Sequence, residues 1–534
     1  MAKVRGRASH KTWQRLLFSR RTTRSGQIAA DELSSKRLYV FLVLALQVVT
    51  ATFLVGWTRF DTEFSAVSDP WHWGELLAAV LLIHAGALLM LRAQRVHRHK
   101  TPLQIGRCFL LINGFLLANW VILQQPDVSM MLLPMPLLGM ILGFLLPISR
   151  AILVSMVAIA LTALMASERP DATVAAQPVV MAVAMFFGGL VAIQGVQRVR
   201  SRTRILTVGF LSGLTMAVAT LLLQTAEFQQ LTLENITTRV WLHDAMWGLI
   251  NGVAAGVLIT SALPFLEKWF DVLTEIRLME LSDTHRPLLN EFSLLAPGSF
   301  QHSLMVGQLA EEAANSIGAN GLLCRVGALY HDIGKMMKPG YFIENMQGGD
   351  NIHDRLSPEM SRLIIIAHVK DGMKIAEEEH LPTPIVDMIP MHHGTSVVEF
   401  FFQKKAQQVD EKEADRTREV FRYPGPKPTF REAGILMLAD GVEASSRTLS
   451  DPTPTRVRQH IKNIIQARSQ EEQLDECELT MSDLHRIEDA FVRVLSAIHH
   501  HRVKYPGEDE VVSASSTKKK NPTSPDSTVA TRRS

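Results

Sequence analysis

Eight apolar runs crowd the first half of this chain, near 38–57, 74–91, 107–123, 128–147, 150–166, 177–197, 205–223 and 241–263. A bilayer core takes roughly 20 mostly apolar residues per helix. The runs therefore commit this half to a polytopic transmembrane helical bundle. Runs four and five are separated only by Pro147-Ile148-Ser149-Arg150, so reading them as one long helix lowers the count by one. Beyond residue 266 the composition changes to that of an ordinary charged globular domain.

Loop charge sets the topology, because cytoplasmic loops are enriched in Lys and Arg. Residues 1–37 hold ten Lys/Arg against two acidic residues. The second connection carries Arg92, Arg95, Arg98, Lys100 and Arg107, the fourth Arg150, and the sixth Arg198, Arg200, Arg202 and Arg204. The alternate connections carry Arg59, none, Arg169 and Arg239. The alternation puts both ends of the membrane half in the cytoplasm and fits an even helix count. The first run begins only near residue 38 and has no small-residue cleavage site, so it reads as a retained helix.

A net charge of +3 is too small to argue for a nucleic-acid partner. A basic arm beside a membrane segment reads as topology or lipid contact instead. Cys108, Cys324 and Cys477 have neither metal spacing nor a disulfide framework. Inside the runs, His84, His243 and Asp244 are isolated ionisable groups. Without paired charges or matching broken helices they do not suggest a transport path.

Residues 264–295 are expected to form a connecting helix, with Leu266, Phe270, Leu273, Ile276 and Leu278 near helical spacing. It reads equally as a signal carrier, a spacer or a contact within a homodimer. From 296 to about 500 the periodicity is helical throughout, without a convincing strand set. The run 480–500 has Ser482 as its expected N-cap and Leu484, Ile487, Phe491, Val494, Leu495 and Ile498 on one face. The fold class is all-α: a polytopic membrane bundle followed by a second, cytoplasmic all-α bundle. Segment 403–428 reads as a charged, Pro-rich loop beside the active site, closed by Tyr423-Pro424-Gly425-Pro426. Residues 508–534 are Ser/Thr/Lys/Pro-rich and expected to be disordered.

The chemistry gathers on histidines and aspartates: His302, His331-Asp332, His368, His392-His393 and Asp440. Each lies on or beside an apolar helical run. Imidazoles and carboxylates on facing helices suit a divalent transition metal. Adjacent residues on an α-helix diverge by about 100°, so His331 can serve one metal while Asp332 reaches toward a second. A single buried histidine is more often a core residue than a ligand, but the whole series favours metal. Five histidines and two aspartates suffice for two ions, which together activate water and stabilise the attacking and leaving oxygens of a phosphoester.

These residues resemble the HD phosphohydrolase superfamily. The wider text resembles its seven-transmembrane-HD family, in the branch of PgpH-type cyclic di-AMP phosphodiesterases. The resemblance runs through Ala296–Val306, Val326–Lys335, Tyr341–Asn345, Ile364–Gly372, His392–Ser396, Phe421–Pro428 and Met437–Ala444. It implies that His302, His331, Asp332, His368, His392, His393 and Asp440 are metal ligands, with Asp332 bridging. It also implies that Lys335 faces the phosphate, that the metals are two divalent ions such as Mn or Fe, and that cyclic di-AMP is hydrolysed to linear pApA. The setting implied is a bacterial inner membrane. The alternatives are an HD phosphohydrolase of another nucleotide, or a receptor whose HD domain mainly binds nucleotide.

Two features depart from related patterns. Family members usually carry a large extracellular domain between the first two membrane helices, whereas only residues 58–73 stand there. The cyclic di-GMP branch follows its paired histidines with Gly-Tyr-Pro; here His392-His393-Gly394-Thr395-Ser396 runs on into Val-Val-Glu-Phe-Phe, which favours the adenine branch. Arg447, seven residues after Asp440 on the same helical face, reads equally as a phosphate contact or a surface ion pair. His353-Asp354 reads as structural, and His499, His500 and His501 as a solvated run. The expected boundaries are an arm at 1–37, a transmembrane domain at 38–263, the connecting helix at 264–295, an HD domain at 296–507 and a tail at 508–534.

Overall fold

The computed structural model describes residues 42–57, 70–93, 102–125, 128–167, 177–197, 199–227, 240–270, 272–346, 351–447 and 453–500. The basic arm at 1–37, His501 and the tail at 508–534 lie outside them. The described residues form helices and turns, with one isolated antiparallel bridge between Val397 and Arg422. The chain divides into two compact units, Met1–Arg277 and Leu278–Ser534.

The first unit contains α1 (Leu42–Trp57), α2 (Pro70–Ala93), α3 (Pro102–Leu123), α4 (Met135–Leu145), α5 (Ile148–Ser167), α6 (Gln177–Gly195), α7 (Arg202–Glu227) and α8 (Val240–Phe270). Segments of α3, α5, α6, α7 and α8 are long and apolar enough to cross a membrane. The apolar parts of α1 and α2, and Met130–Leu145, are shorter. Many large apolar side chains face outward, among them Leu82, Leu222, Leu242 and Phe265. Lipid tails are as apolar as these side chains, so close backbone packing must hold the helices together. The α7–α8 seam shows it: a Cβ on Gly252 would stand 2.3 Å from the Gly213 nitrogen and 2.4 Å from the Gly209 carbonyl oxygen. Gly209, Gly213, Gly248, Gly252 and Gly256 recur every fourth residue, and the backbones meet there.

The fourth apolar run is not one continuous helix. Met130–Leu132 is a 3-10 turn, and α4 begins only after Pro134. Irregular backbone at membrane depth is tolerated only where its polar groups find partners. Here Asn251 on α8 donates to the carbonyls of Met131 and Leu133, both at 2.8 Å. Ser129 donates to Asp244 at 2.7 Å. Asp244 thus bonds within the bundle, and His84 bonds to the Val80 carbonyl one turn back.

Residues 264–295 differ from the single helix expected. α8 continues through Pro264 to Phe270, and two short helices follow, α9 (Glu275–Leu281) and α10 (Pro287–Leu295). Thr274 accepts from the Arg277 amide and so starts a new helix. Pro287 sits in the first turn of α10, where its missing N–H costs nothing.

The second unit continues with α11 (Pro297–Ser316), α12 (Gly321–Tyr330), α13 (Pro358–Glu378), α14 (Thr383–Met391), α15 (Glu399–Ala406), α16 (Glu411–Val420), α17 (Arg431–Ser446), α18 (Pro454–Gln470) and α19 (Met481–His500). Its core joins α11, α12, α17, α18 and α19 through Leu309, Ala328, Leu436, Val442, Ile461, Ile487 and Phe491. Segment 403–428 is not a loop throughout: it contains the end of α15 and all of α16 before turning extended. The N-cap of α19 is Thr480, not Ser482. Thr480 accepts from the Asp483 amide while Asp483 accepts from the Thr480 amide, a reciprocal cap.

Candidate metal centre

Four of the five histidines lie within helices or cap them, and His393 follows in the turn after α14. Asn320 caps α12 by accepting from the Leu323 amide, and α12 runs to Tyr330, leaving His331 as its C-cap. Pro384 opens α14 and Pro390 lies near its end, with His392 as C-cap. Ser357 caps α13, which carries His368. His302 lies within α11 and Asp440 within α17.

The chain after His331 does not continue as an α-helix. Ile333–Met337 is a 3-10 helix with Asp332 at its N-cap. The α-helical divergence expected for His331 and Asp332 is therefore replaced by a tighter turn, in which residues three apart eclipse. That eclipse sets Lys335 Nζ 2.7 Å from Asp332 Oδ2. The turn fits because position 334 has no side chain: a Cβ on Gly334 would stand 1.9 Å from the His368 carbonyl oxygen. α13 and its histidine can then lie directly against the turn.

Two groups of metal-ligand type result, His302 with His331 and Asp332, and His368 with His392 and His393. Asp332 lies between them. Its Oδ2 is 3.2 Å from His331 Nε2 and 3.7 Å from His302 Nε2. Its Oδ1 is 3.5 Å from His368 Nε2 and 3.8 Å from His392 Nε2. Asp440 Oδ1 completes the first group, 2.9 Å from His302 Nε2 and 3.7 Å from His331 Nε2. All seven sequence-predicted ligands thus come together, five of them buried and His393 and Asp440 half-buried.

The ring tautomers are set by the backbone. Nδ1 of His331, His368 and His392 donates to the carbonyl of Ala328, Ile365 and Ile389, at 2.7, 2.5 and 2.6 Å. Each Nε2 is left facing the Asp332 carboxylate, and all three are buried without a hydrogen-bond partner, as is Asp332 Oδ1. Buried polar atoms are normally satisfied. Four such orphans facing one another are the arrangement a divalent metal ion would satisfy. The donor set of imidazoles and carboxylates fits such an ion.

Protonation follows the same field. Burial alone would lower the His331 pKa, but Asp332 and Asp440 overcome it and push it up to about 10. His392, buried and beside His331, is pushed down to about 3. Burial opposes a charge on Asp332, yet His331 and Lys335 hold its carboxyl well below the usual range. The first group therefore attracts positive charge, while the second stays neutral and open to a metal.

Several participants were not legible in the sequence. Glu443 Oε2 meets His302 Nδ1. Glu344 bonds Lys335 Nζ at 2.8 Å and accepts from Ser299 at 2.7 Å. The Tyr423 ring stacks on His393 with centroids 4.1 Å apart, so the expected closing segment does reach the site. Arg447 donates twice to Glu443 Oε1, at 2.9 and 2.7 Å. His353 is buried, bonds to the Tyr341 carbonyl at 2.8 Å and packs on Phe401, a structural placement.

Comparisons with known proteins address both units. A family model described as a 7TM receptor with intracellular HD hydrolase matches residues 71–274, and the HD domain model matches 299–445. The cyclic-di-AMP phosphodiesterase PgpH of Listeria monocytogenes is 36% identical over 439 residues, which are 81% of this chain and 59% of that protein. The cyclic-di-AMP phosphodiesterase PgpH of Bacillus subtilis is 43% identical over 261 residues, 49% of this chain and 36% of that protein. The chain thus spans less than two thirds of these relatives' length. Crystal structures of the L. monocytogenes PgpH HD domain, one in complex with cyclic di-AMP, match at 43% and 41% identity. They cover 40% of this chain and 100% and 99% of theirs, with TM-scores of 0.38. With its apolar helical half followed by its histidine–aspartate half, the chain belongs to the seven-transmembrane-HD family of membrane proteins.

Proposed function

We propose that the chain is a membrane-bound, metal-dependent phosphodiesterase that hydrolyses cyclic di-AMP to linear pApA. The observation that carries this reading is Asp332, one carboxylate set between two groups of histidines, with the Nε2 atoms of His302, His331, His368 and His392 facing it. In this reading the metals would be two divalent ions, Mn or Fe. His302, His331 and Asp440 would hold one and His368, His392 and His393 the other, with the Asp332 carboxylate available to both. Such ions supply a nucleophilic hydroxide at neutral pH and positive charge for the phosphoryl oxygens. The cyclic di-AMP substrate is taken from the PgpH relatives and from the adenine-branch motif at His392–Ser396.

The protein's own groups do the positioning. The carbonyls of Ala328, Ile365 and Ile389 fix three imidazoles, so no reorganisation accompanies reaction. Lys335, held between Asp332 and Glu344, keeps a buried ammonium where a phosphate would gather negative charge. Tyr423 stacks on His393 and covers one face of its ring. Loop charge supports a cytoplasmic N-terminus and a cytoplasmic HD domain at 296–507, following a transmembrane domain at 38–263.

The test is the purified full chain in detergent with Mn2+ and cyclic di-AMP, read by mass spectrometry. Linear pApA is expected, with cyclic di-GMP turned over far more slowly. Asp332→Ala should abolish product while the protein still inserts in membranes. No turnover of any cyclic dinucleotide by the wild-type chain, or full activity in Asp332→Ala, refutes the proposal.

A further inference from the structure

Where His331, His368 and His392 are oriented by carbonyls of their own helices, His302 is oriented by a side chain. Its Nδ1 meets Glu443 Oε2 across the α11–α17 interface. Glu443 lies three residues after Asp440 on α17, on the same helical face. Its other oxygen, Oε1, accepts both the Nε and Nη2 hydrogens of Arg447. Glu443 is buried whereas the Arg447 side chain is 45% exposed. The chain of contacts thus runs from solvent through a guanidinium and a carboxylate to the imidazole, and ends at the first metal group.

We propose that Glu443, restrained by Arg447, is a positioning residue that sets the tautomer and ring angle of His302 and so the affinity of the first of two metal positions. The proposal rests on the two-metal reading above. With Nδ1 engaged by the Glu443 carboxylate, Nε2 is presented on the far side of the ring, here hydrogen-bonded to Asp440 Oδ1 at 2.9 Å and 3.7 Å from Asp332 Oδ2, and a metal there would take the place of the Nε2 proton. The carboxylate also makes the ring a stronger donor to a metal, and removing such a partner typically weakens metal affinity about 10- to 100-fold. Because His368 and His392 take their orientation from backbone, the second position does not depend on Glu443. The two positions should respond differently to one substitution. Arg447 thereby acts through Glu443 instead of through phosphate.

The experiment is Mn2+ titration of the full chain in detergent after chelation, with free Mn2+ counted by electron paramagnetic resonance. The wild-type chain should bind two ions. Glu443→Ala should weaken one by about 10- to 100-fold and leave the other unchanged. Glu443→Gln, whose amide oxygen still accepts from Nδ1, should stay within a few-fold of wild type, and helical circular dichroism checks that each variant is folded. Arg447→Met should weaken the same position by less than Glu443→Ala does. Wild-type affinity at both positions in Glu443→Ala overturns the assignment, as does an equal loss in Glu443→Gln. Failure of the wild-type chain to bind Mn2+ overturns the two-metal reading itself, and the inference with it.

Discussion

Gly334 offers a sharp test of how the centre is built. In Gly334→Ala the new Cβ would stand 1.9 Å from the His368 carbonyl oxygen and 2.5 Å from the Gly372 nitrogen. Both are backbone atoms of α13, so no side chain can swing away. Ordinary contact begins near 3.4 Å, and reaching it requires the 3-10 turn and α13 to separate by about 1.5 Å. Overpacking of this kind costs about 1–3 kcal/mol, and a contact with backbone on both sides belongs at the upper end. At about 2–3 kcal/mol a domain of this size loses about 4–12 °C in melting temperature. The same separation moves His368 Nε2 from its position 3.5 Å from Asp332 Oδ1. Ligand misplacement of about 1 Å is enough to cost about 100-fold in rate. The assay is thermal melting of the detergent-solubilised chain together with metal content per chain. Gly334→Ala should melt early and lose metal, while Gly340→Ala, whose Cβ would meet nothing within 4 Å, should match wild type in both. A Gly334→Ala protein with wild-type melting and full metal content would refute the close-approach argument.

Two further outcomes follow from the geometry. Gly252→Leu should break the α7–α8 seam, where even a Cβ stands 2.3 Å from backbone; the yield of monodisperse full-length protein should fall sharply, whereas Gly74→Leu, in open space, should not change it. The pH dependence of the chelated protein has a defined sign. His331 is raised from 6.5 to about 10 on folding, so its contribution is fully present below pH 6.5 and is lost as pH rises toward 10. Melting of the metal-free chain should therefore decline across that window. Mn2+ must displace that proton, so binding at pH 7 should release protons, measured by calorimetry in buffers of different ionisation enthalpy. Binding without proton release would show that His331 is neutral before the metal arrives.

Much of this protein is written in residue order. Length and apolarity of the runs fix the membrane half, since a bilayer imposes one dimension on every span. The periodicity of 480–500 identifies the buried face of α19, because one helix needs only its own 3.6-residue repeat. The histidine and aspartate series marks the chemistry, since those side chains are few and costly to bury without a partner. What the sequence could not reveal depends on contacts between distant segments. Asn251 serves carbonyls more than a hundred residues away, so neither the break in the fourth run nor its repair shows locally. Glu443 looks like any helical glutamate until α11 brings His302 to it. Arg447 could face phosphate or protein until Glu443 takes both its donors. The His-Asp pair illustrates the division best. Its identity is local, but its position between two histidine groups depends on a turn that closes only because Gly334 lets α13 approach. Patterning decides which residues are buried; only packing decides which buried atoms meet.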